Sequence, residues 1–171
     1  MAAIRESFDG FSKTIQQWPE ASFEENPAGK WSVGQQLDHL IRSVKPVNLA
    51  MRLPKWLLRI AFGKPNRPSR TYEVLVEKYL QKLGAGGKAP ATFVPPTIAL
   101  SQKEHLLGVY EKQKQKLLES ANRWTEADLE RYLLPHPLLG KLSLKEMLFF
   151  TIYHTGHHHR QVLQNGNLPK A

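Results

Sequence analysis

The 171-residue sequence predicts an all-α fold, a four-helix bundle with a long crossover insertion between helices 2 and 3. Three observations lead there. Four stretches carry apolar residues at steps of three and four, the spacing of one helix face. Three of the four open on a serine followed three places later by Gln or Glu, the pattern of a capping box. Most proline and glycine lie between these stretches, where chain breaks are needed.

The first helix is expected from about Ala3 to Trp18, with Ile4, Phe8, Phe11, Ile15 and Trp18 on one face and Pro19 as the stop. The second starts at Ser32, whose box partner is Gln35, and runs through Leu37, Leu40, Ile41 and Val44 until Pro46 bends or ends it. The third begins near Ser101, paired with Glu104, and its apolar positions continue to Trp124. The fourth opens on Ser143 with Glu146 and reaches about Leu163, where Asn165-Gly166 supplies a stop.

The crossover spans residues 51–97. MRLPKWLLRIAF reads as a short helix, and the Pro-, Gly- and Lys-rich chain after it is broken up by a helical piece from Tyr72 to Leu83. Residues Met51 to Arg70 alternate apolar with basic side chains, which suits a segment lying on a membrane or clasping an anionic ligand, and suits better a lid that packs its apolar side on the bundle. RYLLPHPLLGKL, from Arg131 to Leu142, is extended chain and turn, because Pro135 and Pro137 bracket His136. All of this fits one domain over residues 1–171.

Composition narrows the chemistry. There is no cysteine, which removes disulfides, thiolate metal ligands and cysteine nucleophiles, so any metal must sit on histidine and carboxylate. The formal charge is +9, yet no zinc-finger spacing, aromatic RNA-binding run or basic zipper accompanies it, so no nucleic acid is expected as a partner. No apolar run reaches the roughly 18 residues that a membrane span needs. The opening MAAIRESFDGF carries Glu6 and Asp9 and is unlike a secretory leader, so a cytoplasmic protein is expected.

The richest stretch is YHTGHHHRQ, Tyr153 to Gln161, with four histidines in six positions. A helix turns about 100° per residue, so His154 and His158 lie within about 40° of each other on the stripe that continues Met147, Leu148 and Thr151 into the bundle. His157 sits about 60° to one side and His159 about 140° round from His154. Two imidazoles one turn apart suit a single metal ion, and they equally suit a solvated face or a pair of hydrogen-bonded core histidines. A metal would want a third ligand. His39, flanked by Leu40 and Ile41 on the second helix, is the candidate, and the three together would leave one position open for water or substrate. Gln161 would orient His158 or close the stripe with a polar end. Trp31, just before the Ser32 cap, reads as a hydrophobic staple.

Trp31-Ser-Val-Gly-Gln-Gln-Leu-Asp-His39-Leu, followed far along the chain by His154-Thr-Gly-His-His158-His-Arg-Gln161, resembles the DinB-like superfamily, whose relatives include bacillithiol and mycothiol S-transferases. The resemblance implies a four-helix bundle in which one histidine of the second helix and two of the last bind a divalent metal: His39, His154 and His158, with zinc, nickel or manganese as the ion. It also implies a small-molecule substrate such as a low-molecular-weight thiol, and a homodimer. It supplies no DNA-binding element. The chemistry that follows is thiol S-transfer or hydrolysis. Asp38 and Glu146 are poor general bases, the first turned away from His39 on its helix and the second engaged as a cap. The contrasting reading is a non-catalytic helical bundle with a structural or incidental metal and a basic insertion that binds a partner.

Overall fold

The computed structural model describes residues 1–26 and 29–165. Helix α1, Ala2–Gln16, buries Ile4, Phe8, Phe11 and Ile15, the face that the spacing predicted, and Trp18 stays in the core just beyond its end. The buried Lys103 ammonium donates to the carbonyls of Gln16 (3.3 Å) and Trp18 (3.1 Å), placing positive charge where the helix leaves carbonyls unpaired.

Helix α2, Val33–Ala50, starts at the expected box: Ser32 Oγ accepts from Gln35 N–H at 3.2 Å and Gln35 Oε1 accepts from Ser32 N–H at 3.0 Å. Pro46 does not end it. Interior proline costs about 3 kcal/mol, but Val47, Ala50 and Met51 beyond it are all buried, and large apolar side chains such as Val and Met each return about 1.5–3 kcal/mol on burial. Asn48 also holds that last turn, donating to the carbonyl and the side-chain oxygen of Gln113 far along the chain.

The crossover holds two helices. Helix α3, Lys55–Phe62, packs on a short hairpin, with Leu58 buried and Trp56 and Ile60 exposed. Helix α4, Tyr72–Gly84, is capped by Thr71 and packs on the last helix through Leu75 and Tyr79. The insertion is therefore half a surface element and half a wall of the interior. Gly34 lets its return segment approach α2: a Cβ there would lie 2.8 Å from Phe23 and 2.9 Å from Ile98.

Helix α5, Lys103–Ala121, follows a 3-10 turn at Leu100–Gln102, and the expected Ser101–Glu104 box does not form. Ser101 lies inside that turn rather than in the extended conformation that a capping residue needs, and Gln102 Oε1 instead accepts from Ala99 N–H at 3.0 Å. A short helix α6, Glu126–Arg131, leads into the hairpin of β1, Leu133–His136, and β2, Gly140–Ser143, in antiparallel register with Leu134 opposite Leu142. The extended reading of 131–142 thus becomes a two-stranded sheet, and the chain is mostly helical rather than wholly so.

Helix α7, Leu144–Asn165, begins at the expected Ser143–Glu146 box, with Glu146 N–H on Ser143 Oγ at 3.1 Å and Ser143 N–H on Glu146 Oε2 at 2.9 Å. The stop expected at Asn165-Gly166 falls on Gly166, outside the described residues. Among the long helices, α1 packs on α5 and α7, and α2 packs on the same two. The core therefore runs between all four, and α2 faces α7 across it. No helix among the described residues is long and apolar enough to cross a membrane.

Candidate metal centre

The facing of α2 and α7 brings three histidines together. His39 and His154 approach Nε2 to Nε2 at 3.2 Å, and His158 Nε2 lies 2.9 Å from His154 Nε2. One ring nitrogen from each of the three lies within 4.8 Å of both others. All are buried, with 4%, 6% and 5% of their surface exposed. His154 and His158 share the inward face that helical rotation assigns them, and His39 arrives at the same point from the opposite helix.

The rings are held from behind. His39 Nδ1–H donates to the Phe93 carbonyl at 2.7 Å, and His158 Nδ1–H donates to Gln36 Oε1. Both rings then carry their proton on Nδ1 and turn an Nε2 lone pair toward His154. His154 can offer at most one proton to those two lone pairs, so three inward nitrogens cannot satisfy each other. Burial pushes all three imidazoles below the ordinary histidine range, and for His154 and His158 the neighbouring imidazoles push further in the same direction. Protonation is therefore disfavoured where a shared cation would satisfy every lone pair. This donor set, neutral and nitrogen-only, fits a divalent metal.

The aromatic surroundings fix the ring planes. Trp31 is not a core staple: it lies half-buried against His39, with centroids 4.7 Å apart, and parallel to His158 at 6.1 Å. Phe150 stacks on His154 at 4.9 Å. The three histidines open onto a cavity of about 410 Å³, walled by Tyr79 and Leu83 of α4, Phe93 of the crossover, and the hairpin turn. No carboxylate lines it among the described residues.

The other histidines of the cluster separate as the helix angles imply. His157 is half-buried beside the cavity and meets Gln161 at 3.0 Å, and Gln161 also hydrogen-bonds His158, as expected. His159 points to α1, bonding Thr14 at 2.7 Å and meeting the Phe11 ring edge-on. Asp38 is spent on Arg42 at 2.5 Å. Glu146 has a larger role than a cap. Its fully buried carboxylate also takes a fork from Arg67, at 2.8 and 3.0 Å, and bonds from Arg70 side chain and backbone, at 3.1 and 2.9 Å. Burial would raise this carboxyl, but those donors outweigh it and hold it below its usual range.

Several contributors escaped the residue pattern. Gln36 was legible in principle, as a polar residue on an apolar face one turn before His39. The Phe93 carbonyl carries no side-chain signal at all. Tyr79 and His136 line the cavity from segments whose placement depends on the crossover and the hairpin.

A model of the DinB superfamily matches residues 3–162. The chain belongs to the DinB superfamily. That superfamily includes metal-dependent enzymes, and the three-histidine group is compatible with membership among them. No curated protein matches this DinB chain significantly.

Proposed function

We propose that the chain is a single four-helix-bundle domain that holds one divalent metal ion on His39, His154 and His158 and uses it as an enzyme on a small molecule, by thiol S-transfer or by hydrolysis. The observation that carries this reading is the convergence of three buried, neutral Nε2 atoms, two of them aimed by bonds at Nδ1. When bound, a zinc, nickel or manganese ion on three neutral imidazoles keeps its full charge and would make a coordinated water or thiol acidic near neutral pH, supplying a nucleophile.

The chain's own residues do the rest. Phe93 and Gln36 hold the tautomers that expose the lone pairs, as the outer partners of ligating histidines do. Trp31, Phe150 and Tyr79 pack against the histidine rings and shield them from bulk solvent on those sides, which strengthens electrostatic effects there. The cavity suits a small-molecule substrate in size, and its largely apolar walls place the polar groups at the histidine end.

A partner-binding role for the basic insertion has less to work with. Arg67 and Arg70 are engaged by Glu146, Lys55 by Asp128 at 2.6 Å, and Arg59 lies over the Tyr132 ring. These charges stabilise the insertion's own placement.

Elemental analysis of protein purified without a polyhistidine tag tests the proposal. One metal per chain is expected, lost in His39→Ala, His154→Ala and His158→Ala while circular dichroism stays helical. Metal binding that survives these changes, or no stoichiometric metal under repletion, would falsify the three-histidine site. A screen of low-molecular-weight thiols with electrophiles, and of esters and amides, then reads the reaction.

A further inference from the structure

His136 lies outside the three-histidine group, at the end of β1, and lines the same cavity. The turn that follows it folds back so that its Nδ1 accepts two backbone N–H groups, from Leu138 at 3.2 Å and from Leu139 at 3.1 Å. A ring nitrogen that accepts two donors carries no proton, so in the neutral ring the proton sits on Nε2. Nothing among the described residues takes a hydrogen bond from that Nε2. The ring is fixed edge-on against Phe150, with centroids 4.2 Å apart, and against Tyr79 at 6.4 Å, and Phe150 in turn stacks on His154. Burial pushes the His136 imidazole down to about 4, so near neutral pH it is an uncharged donor.

We propose that His136 is a substrate-binding residue, whose Nε2–H is a fixed hydrogen-bond donor for a carbonyl or carboxylate oxygen of the molecule held at the three-histidine centre. This rests on the metal reading above. Two features favour an oxygen acceptor. Among the described residues no carboxylate side chain lines the cavity to compete for the donor, and the apolar walls of Leu83, Pro137, Leu138 and Phe150 offer no other partner. The two turn bonds also exclude His136 from general-base work at neutral pH: its one lone pair is already occupied.

The variants separate the two faces of the ring. His136→Asn keeps an acceptor at the Nδ1 position for the turn and removes the donor; His136→Gln restores an N–H at the Nε2 position. Cobalt(II)-loaded protein is titrated with mercaptoacetate and 3-mercaptopropionate, and with ethanethiol and propanethiol, and the thiolate-to-cobalt absorption band is followed. The carboxylate thiols are expected to bind about tenfold more tightly than the alkyl thiols, the worth of one good hydrogen bond. That advantage, read in each variant as the ratio of carboxylate-thiol to alkyl-thiol affinity, should vanish in His136→Asn and return in His136→Gln. Bands that form with no carboxylate preference, or a preference that persists in His136→Asn, overturn this inference alone. Bound cobalt that gives no band with any thiol overturns this inference alone, whereas failure of the wild type to bind cobalt overturns the three-histidine reading, and this one with it. Nitrogen-15 NMR of labelled histidine in the unaltered protein reads the tautomer whether or not the variants fold: an Nε2–H ring at neutral pH is expected, and an Nδ1–H ring sinks the assignment.

Discussion

Gln36→Leu should separate the cost of holding His158 from the cost of folding. Gln36 is 3% exposed and its side-chain oxygen is the acceptor for His158 Nδ1–H, in a region closed by Trp31 and the ring of His39. Leucine matches the volume without supplying an acceptor, so no cavity opens and the effect is confined to the lost bond. With nothing to receive it, a buried N–H is left unsatisfied, which costs about 1–3 kcal/mol of stability in the metal-free protein. The ring can escape by moving its proton to Nε2, but that removes the lone pair aimed at His154 and at any shared ion. Outer partners of this kind are worth about 10–100-fold in metal affinity. Two measurements follow: urea denaturation of the metal-free protein, and zinc affinity by competition with a chromophoric chelator. A drop in both is expected, with His39→Ala lower still in affinity. Zinc affinity equal to wild type in a folded Gln36→Leu protein would refute the idea that the Gln36 bond sets the His158 tautomer.

Other perturbations probe the frame around the site. Glu146→Gln is expected to destabilise by about 2–3 kcal/mol in thermal or urea melts, below the usual value for breaking a buried pair because Arg67 and Arg70 are 32% and 17% exposed and regain water; an unchanged midpoint would show that the clasp contributes nothing. Gly34→Ala gains up to about 1 kcal/mol of helix propensity but pushes a methyl into Phe23 and Ile98, both buried, at about 1–3 kcal/mol; a more stable variant would mean that the crossover yields there. Stability of the metal-free protein should fall as pH falls from 6.5 toward about 4. His136 is depressed from 6.5 to about 4 in the fold, so its contribution is complete above 6.5, shrinks as the unfolded chain takes up the proton, and is gone below about 4. The window spans up to about 3 kcal/mol, and His136→Asn should flatten that part of the urea-derived stability profile; an identical slope in the variant counts against a neutral His136.

Much of this DinB chain was legible before any coordinates. The faces of α1, α2 and α7 followed from apolar spacing alone, because a helix buries whatever lies on one stripe. The Ser32–Gln35 and Ser143–Glu146 boxes formed because each serine precedes its helix in extended chain. Ser101–Glu104 has the same letters and failed, since a 3-10 turn occupies the place where an extended residue was needed. Pro46 does not end α2 for a related reason: a local rule is outweighed by burial of the turn beyond it.

Within one helix, periodicity could determine that His154 and His158 share an inward face while His157 and His159 do not, because that is a property of helical rotation. It could nominate His39 but not bring it to the others, since a distance between helices depends on how they pack. Only the tertiary structure decided that α2 and α7 face each other with three Nε2 atoms converging. It alone placed Gln36 and the Phe93 carbonyl behind the rings, turned Arg67 and Arg70 onto Glu146, and brought His136 to the wall of the same cavity. The contacts of His39 with Phe93 and of Gln36 with His158 join residues 54 and 122 positions apart. Sequence patterns encode neighbours along a helix, whereas orientation of a ligand by a distant carbonyl or amide is set by packing.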